Sequence, residues 1–372
     1  MSGGVDSSVA ALLLRRQGVE VVGLSMHLWD HDRDGTGASV GRCCTSDDLS
    51  EARRAADSLG IAHFVVNLAD RFERSVVRPF VESYLAGETP IPCLACNTDL
   101  KFAALLERAA ALGCDAVATG HYARVERDEE TGEWLLLRGS DPSKDQSYFL
   151  HGLTQAQLGR ALFPLGGLAK SAVREIARLA GLPNWDKPDS QETCFIPPGA
   201  GPGDFVRREA AGLGIPLPDL LAGRPGSVVD RRGNVLGKHR GAFSFTVGQR
   251  RGLGVASGRP LYVVDVRPER AEVVVGAEDE LLSSEVFLRD LRVVSRRPPA
   301  DGEAVLARIR SRHTEQPASF FSGPDGSARL VFGDPVRAAA PGQSAVLFDP
   351  GRPERVLGGG VIRRPPSGPS LS

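Results

Sequence analysis

One theme recurs three times in the first third of this chain: a helical stretch, a glycine, then a short apolar run. Residues 7–17 are closed by Gly18 and followed by the run 19–28. A helix from about Ser46 to Leu59 stops at Gly60, before the run Ile61–Leu68. A third, near Asp99–Leu112, stops at Gly113, before Asp115–Thr119. Glycine ends helices because it adopts the left-handed conformation at no steric cost. Helices alternating with buried strands build a parallel sheet covered on both faces, so the predicted fold is α/β with a doubly wound parallel sheet. A further helix over 170–180 closes this part. Such a sheet holds a phosphate-binding loop behind a strand. The first glycine-rich turn starts at Ser2 with no strand before it, and the expectation is that a central strand lies upstream.

After Pro197 the texture changes. Pro-Pro-Gly-Ala-Gly-Pro-Gly over 197–203 reads as a linker, and beyond it short runs alternate between Gly, Asn and Pro turns. These runs are 226–230, 261–266, 272–275, 286–294, 303–310, 317–322, 328–332 and 344–349, the pattern of small β domains ending in a barrel. The predicted division is a catalytic domain over 1–198, a central β-rich domain over 199–280, a C-terminal β-barrel over 281–363 and a disordered tail over 364–372. At about 100–200 residues per domain, 372 residues accommodate this. No stretch has the ~18 uncharged apolar residues of a membrane span, and no signal pattern opens the chain. No membrane partner is therefore expected, and the expected location is cytoplasmic. Thiols stay reduced there, so the six cysteines read as chemistry, metal or core.

Ser2-Gly3-Gly4-Val5-Asp6-Ser7-Ser8 carries the clearest chemistry. Two glycines let backbone amides converge on an anion, and the helix start adds its positive dipole end and hydroxyl donors. That combination grips a diphosphate. The lysine of Gly-x-x-x-x-Gly-Lys-Ser/Thr is missing, which suits an enzyme that lets diphosphate leave while AMP passes to a substrate. An ordinary capped helix after a Gly turn is the plainer alternative. Gly37-Ala38-Ser39-Val40-Gly41 matches a nucleophile elbow only formally, because no strand precedes it.

The loop resembles the signature of the PP-loop ATP pyrophosphatases. Further segments resemble the bacterial tRNA-specific 2-thiouridylases: Pro92–Asn97 (Pro-Cys-Leu-Ala-Cys-Asn), Lys144–Leu150, Asp189–Ile196, Ala118–Tyr122, Gly248–Gly254 and Pro341–Ala345. The likeness runs from residue 2 to about 362. It implies that ATP with Mg2+ adenylates O2 of the wobble uridine, persulfide sulfur reaches C2, and AMP leaves. Cys194 would accept the persulfide and Cys96 would be the nucleophile. Ser2, Gly3, Gly4, Val5, Asp6, Ser7, Ser8, Met26 and Gly120 would bind ATP. Ile91, Pro92, Cys93, His121, Lys144, Asp145, Gln146, Arg312, His313 and Gln343 would meet tRNA or the target base. The implied partners are the tRNA anticodon loop, a sulfur donor such as a cysteine desulfurase or relay protein, and a reductant.

The chemistry of the residues agrees. A persulfide that gives up its outer sulfur needs a second thiol in reach, and Cys96 and Cys194 lie 98 positions apart, so only the fold can join them. Cys93 departs from members with an acidic residue there. Three thiols at 93, 96 and 194 could ligate a [4Fe–4S] cluster, or zinc with Cys43 or Cys44, but persulfide thiols without metal are favoured. Cys114 reads as a small core residue.

The net charge of −1 hides a split, −7 over residues 1–199 and +6 over 200–372. Arginines and lysines crowd 229–251 and 289–312 with few acids, as phosphate-binding surfaces do. Scattered surface charge is the alternative. A ligase that aminates an adenylated small molecule explains the loop but leaves the thiols idle. A non-catalytic RNA-binding or zinc protein with a degenerate loop is a third reading, and it predicts no diphosphate release when tRNA and ATP are mixed.

Overall fold

The computed structural model describes residues 1–29, 46–189, 193–197, 199–216 and 225–366. Cys43, Cys44, the 37–41 motif, Ser190, Gln191, Glu192 and most of the expected tail lie outside them. The expected strand ahead of Ser2 concerns sequence outside residues 1–372.

The first region is α/β. Its strands are β1 (Gly23–His27), β2 (His63–Asn67), β3 (Val117–Ala118), β4 (Ala123–Arg127), β5 (Trp134–Arg138) and β6 (Ala161–Leu162). β1 pairs parallel with β2, and β3 parallel with β6. Leu24 and Met26 of β1 pack with Val117 of β3 and Leu105. Helices Val5–Arg16 and Ser46–Leu59 fall where the periodicity put them, and Gly18 and Gly60 carry the positive φ that stops each one. Helix Val5–Arg16 buries Val5, Val9 and Leu12 against Val173 and Ala177 of helix Lys170–Leu179.

The third helix starts earlier than expected. Pro92–Ala95, a π segment Cys96–Phe102 and Ala103–Ala111 form one continuous helical path. Residues 69–85, for which the sequence suggested no element, are helical as well, with a π segment at Glu73–Val77. Phe72, Val76, Val77, Phe80 and Val81 form its buried face, at spacings of three and four residues.

The stretch 197–203 is not only a linker. Gly201 is the N-cap and Pro202 the first residue of helix Pro202–Gly212. A Pro at the first helical position loses no hydrogen bond there, so the Pro/Gly cluster partly encodes a helix start. The central region follows, four strands in the order β8 (Val235–His239), β7 (Gly226–Val229), β10 (Glu272–Gly276) and β9 (Tyr262–Arg267).

The C-terminal region is a closed six-strand barrel. Its strands are β11 (Leu282–Val293), β12 (Ala304–Arg308), β13 (Gln316–Ser322), β14 (Ala328–Arg337), β15 (Ser344–Phe348) and β16 (Arg355–Arg363), and the β11–β16 pairing closes it. Val286, Leu288, Phe320, Leu330 and Leu347 are among the side chains that fill it. The β4–β5 hairpin adds to the same sheet, with Leu137 opposite Arg355 and Leu136 opposite Val356. No helix among the described residues is long and apolar enough to cross a membrane.

Candidate active site

The glycine-rich loop folds around its own backbone. Gly4 is the N-cap of helix Val5–Arg16, and no side chain caps that end. The first-turn amides and the positive end of the helix dipole are therefore open to an anion, with no carboxylate cap competing. Ser7 Oγ and Ser8 Oγ donate to the Gly4 carbonyl at 3.0 and 3.3 Å, and the Ser2 amide donates to Ser7 Oγ at 3.1 Å. Gly3 has a φ of +72°, and a Cβ there would lie 2.4 Å from the Asp48 carbonyl oxygen. Gly120 follows the end of β3 and is pressed against the loop. A Cβ on it would lie 2.7 Å from the Asp6 carbonyl carbon and 2.8 Å from the Ser7 nitrogen. Met26, near the end of β1, is half-buried beside the cluster that holds Cys96. Ligands of open α/β sheets sit at these strand ends.

Asp6 anchors an ionic network. Lys170 Nζ donates to both Asp6 carboxylate oxygens, at 2.7 and 2.8 Å, and Tyr122 Oη donates to Asp6 Oδ1 at 2.8 Å. Burial and the Asp6 carboxylate hold the Tyr122 phenol well above its ordinary range, so it remains a donor. Lys170 also reaches Asp189 Oδ1 at 2.8 Å. Asp189 in turn receives Lys144 at 2.8 Å and Arg174 at 3.0 Å. Burial alone would raise the Asp189 pKa, but the hydrogen bonds and charges of Lys144 and Lys170 outweigh it and bring it to about 2. Buried Asn184 donates to the Gly3 carbonyl at 2.9 Å and to Ser8 Oγ at 3.0 Å. Lys187 binds Asp48 at 2.6 Å and also pairs with Glu51.

The two thiols share one hydrophobic cluster. Cys96 is buried among Phe72, Phe80 and Phe195, and half-buried Cys194 packs on the same cluster. Phe195 explains the placement. Its ring meets Phe80 edge-on at 5.1 Å and Phe72 at 5.6 Å, which ties the residue after Cys194 into the core. Burying such a ring is worth about 1.5–3 kcal/mol. Cys96 opens the π segment, a geometry that redirects side chains and recurs at functional sites. Cys93 is exposed, and Cys114 is half-buried beside Leu105 and Val117. None of these four cysteines is in a disulfide. Among the described residues no group of three or more His, Cys, Asp or Glu could hold a metal ion.

The residues expected at RNA divide into outward and inward groups. Ile91 is half-buried ahead of Pro92, the first residue of its helix. The His121 ring lies 6.3 Å from Phe102 and 6.0 Å from Phe163, with Nδ1 2.8 Å from Thr119 Oγ1. Burial, then the Lys101 charge, push its pKa down to about 3, so it is neutral at neutral pH. Lys144 is partly exposed, and Arg312 is exposed. Half-buried His313 titrates below its ordinary value through burial and the charges of Arg310 and Arg337. Asp145 turns inward, accepting the Gly139 and Ser147 amides at 3.2 and 3.0 Å and facing Arg308 at 3.4 Å. The Gln146 carboxamide oxygen accepts the Tyr122 amide at 2.9 Å, and Gln343 donates to the Thr89 carbonyl at 2.7 Å. These three polar groups hold segments of the protein together.

The basic run 289–312 is engaged in part within the protein. Arg289 pairs with Glu88, Arg292 with Asp99 and Arg308 with Glu315, while Arg310 donates to the Val247 and Ala338 carbonyls. Glu88, Asp99 and Glu315, all outside the counted window, thus pair three of its seven arginines, while Arg296, Arg297 and Arg312 are exposed. In 229–251, Arg231 pairs with Glu280, whereas exposed Lys238, Arg240, Arg250 and Arg251 have no acidic partner among the described residues. Sequence reasoning also missed Lys170, Asn184 and Lys187. No local pattern marks them, because each acts on a segment more than 130 positions away.

Family models match three consecutive stretches. They are a tRNA methyl transferase HUP domain over residues 1–198, a tRNA methyl transferase PRC-barrel domain over 217–277 and an aminomethyltransferase beta-barrel domain over 283–362. The chain is 48% identical to a protein of Koribacter versatilis (strain Ellin345) and 47% identical to one of Solibacter usitatus (strain Ellin6076), each named tRNA-specific 2-thiouridylase MnmA. Each alignment covers 97% of this chain and 97% of the relative.

Proposed function

The chain belongs to the tRNA-specific 2-thiouridylase family, and from that premise we propose that it thiolates the wobble uridine of tRNA in the cytoplasm, at the expense of ATP. Uracil O2 attacks the α-phosphorus of ATP, brought as its Mg2+ complex, and diphosphate leaves. This turns a poor leaving group into AMP. Cys194, charged as a persulfide by an external donor such as a cysteine desulfurase or relay protein, bonds C2 through its outer sulfur. The Cys96 thiolate then attacks Cys194 Sγ, and the S–S electron pair passes to the substrate sulfur. The C2–O2 bond breaks, releasing AMP and leaving 2-thiouridine. The Cys96–Cys194 disulfide requires an external reductant before the next turnover.

One observation carries this reading: two thiols 98 positions apart pack on one hydrophobic cluster, which Met26 of the loop-bearing sheet also touches. For the nucleotide, support comes from the uncapped helix start, the glycine cradle and Gly120 against Asp6. For RNA it comes from Lys238, Arg240, Arg250, Arg251 and Arg312, all exposed, with partly exposed Lys144 nearer the loop. The target base must leave its stack to reach a thiol, which is easiest in a single-stranded anticodon loop.

The test is mass spectrometry of tRNA nucleosides after incubation with ATP, Mg2+ and a persulfide donor. Wild type should yield 2-thiouridine, Cys96→Ser and Cys194→Ser none, and Cys93→Ser close to the wild-type amount. Product from either of the first two variants overturns the thiol assignment. Diphosphate release that needs an amine instead of tRNA identifies a small-molecule ligase.

A further inference from the structure

We propose that Arg308 is a positioning residue for RNA. With Glu315 it fixes the loop that carries Arg312 and His313 against the Lys144–Gln146 segment, so that both meet one tRNA as a single surface. The proposal rests on the RNA roles given above to Lys144 and Arg312. Residues 309–315 link β12 to β13, with Arg308 the last residue of β12 and Glu315 just ahead of β13. The two feet of this loop are tied to each other and to the first region. Arg308 Nε donates to Glu315 Oε1 at 2.6 Å. Arg138 Nη2, from β5, pairs with the same oxygen at 2.6 Å, and Arg308 Nη1 faces Asp145 Oδ2 at 3.4 Å. Both guanidinium groups lie over the Phe348 ring, at 4.0 Å for Arg138 and 5.2 Å for Arg308.

The side chains of Arg308, Glu315 and Asp145 are 12, 15 and 4% exposed, so water screens them little. Two positive and two negative charges balance, and removing one strands its partners in a buried site. Asp145 passes the constraint to its chain neighbours, Lys144 and Gln146. Its Oδ1 accepts the Gly139 and Ser147 amides, which fixes the local backbone. The Gln146 amide donates to the Tyr122 carbonyl at 2.9 Å, and the Gln146 carboxamide oxygen accepts the Tyr122 amide at 2.9 Å. On the other side, Arg308, Arg310 and Arg312 stand two positions apart. Arg308 docks on the first region, and Arg310 donates to the Val247 carbonyl of the central region. Arg312 is left exposed. A loop released from these ties would keep Arg312, but tRNA binding would then also have to order it.

The experiment is a double-mutant cycle on the full-length protein, read by filter binding of an unmodified tRNA transcript with a wobble uridine at one fixed salt concentration. Arg312→Ala should weaken binding at least about fivefold in wild type and less than about twofold in Arg308→Met or Glu315→Gln, because coupled sites are not additive. Arg308→Met and Glu315→Gln should themselves weaken binding at least about threefold, and Arg308→Lys, which keeps the charge without the fork, should recover part of the loss. In thiolation the loss should appear as a higher KM for tRNA, with kcat at saturating tRNA within about twofold of wild type. If Arg308→Met fails to fold, Glu315→Gln, of nearly the same shape, decides. Additive losses, wild-type affinity in Glu315→Gln, or a lower kcat at unchanged KM overturn the positioning role alone. An Arg312→Ala protein that binds the transcript as tightly as wild type overturns the RNA role of that loop, and the proposal with it.

Discussion

Gly120→Ala isolates what the loop requires of its neighbours. The φ of Gly120 lies outside the left-handed region, so alanine meets no backbone penalty and the whole effect is contact. The added Cβ would sit 2.7 Å from the Asp6 carbonyl carbon, where ordinary contact begins at 3.4 Å, so something must move by at least 0.7 Å, the difference of the two. Both nearest atoms, in Asp6 and Ser7, are backbone, and neither can swing aside as a side-chain tip does. Overpacking of this kind costs about 1–3 kcal/mol. If the loop moves, the cost falls on nucleotide binding, where each 1.4 kcal/mol is about tenfold in affinity. If the loop holds, the cost falls on the fold, at about 2–4 °C in Tm per kcal/mol for a domain of roughly 200 residues. The two assays are the KM for ATP in tRNA-dependent diphosphate release and Tm by calorimetry. A rise in KM of at least about fivefold, or a drop in Tm of at least about 2 °C, is expected, the lower end of that range. Gly167→Ala is the control, since nothing lies within 4 Å of its added Cβ, and it should change neither. A Gly120→Ala protein with wild-type KM and Tm would refute the claim that Gly120 sets the loop position.

Two other substitutions read the network around the loop. Asn184→Ala removes the donor to the Gly3 carbonyl and Ser8 Oγ in a buried site, and should destabilise the protein by about 1–3 kcal/mol in urea unfolding. An unchanged midpoint and slope would show that the bonds contribute nothing. Asp189 supplies a pH test. Its folded pKa is depressed to about 2, so its stabilisation is present in full above the ordinary carboxylate value of about 3.9 and is lost as pH falls toward 2. The Tm gap between wild type and Asp189→Asn should be constant between about pH 5 and 8 and narrow below about pH 4. A gap that stays constant down to pH 2.5, or is absent at pH 7, contradicts the ion-pair assignment.

Local signals were legible in the sequence and long-range pairings were not. Helix Ser46–Leu59 could be placed by its periodicity and Gly60, because both features lie within the segment itself. Pro202 misled, because a Pro at a helix start and a Pro in a linker look alike until the following turn buries Phe205 and Val206. The basic run 289–312 was only partly legible for the opposite reason. Two of its acidic partners, Glu88 for Arg289 and Asp99 for Arg292, lie about 200 residues earlier. Charge counted along a window measures the electrostatic surface only when the balancing charges are also local, and at an interface between regions they are not.

The loop itself brings out the same distinction. Its sequence lacks the lysine of other phosphate loops, and that absence is a true statement about residues 2–8. The folded site nevertheless has an ammonium on Asp6, delivered by the first turn of helix Lys170–Leu179. A lysine inside the motif would be committed to the phosphates by its short tether. One delivered from a separate helix can be shared with a second carboxylate, as Lys170 is with Asp189. The missing motif lysine therefore describes only how the cation is supplied: from a separate helix, and onto a carboxylate of the loop.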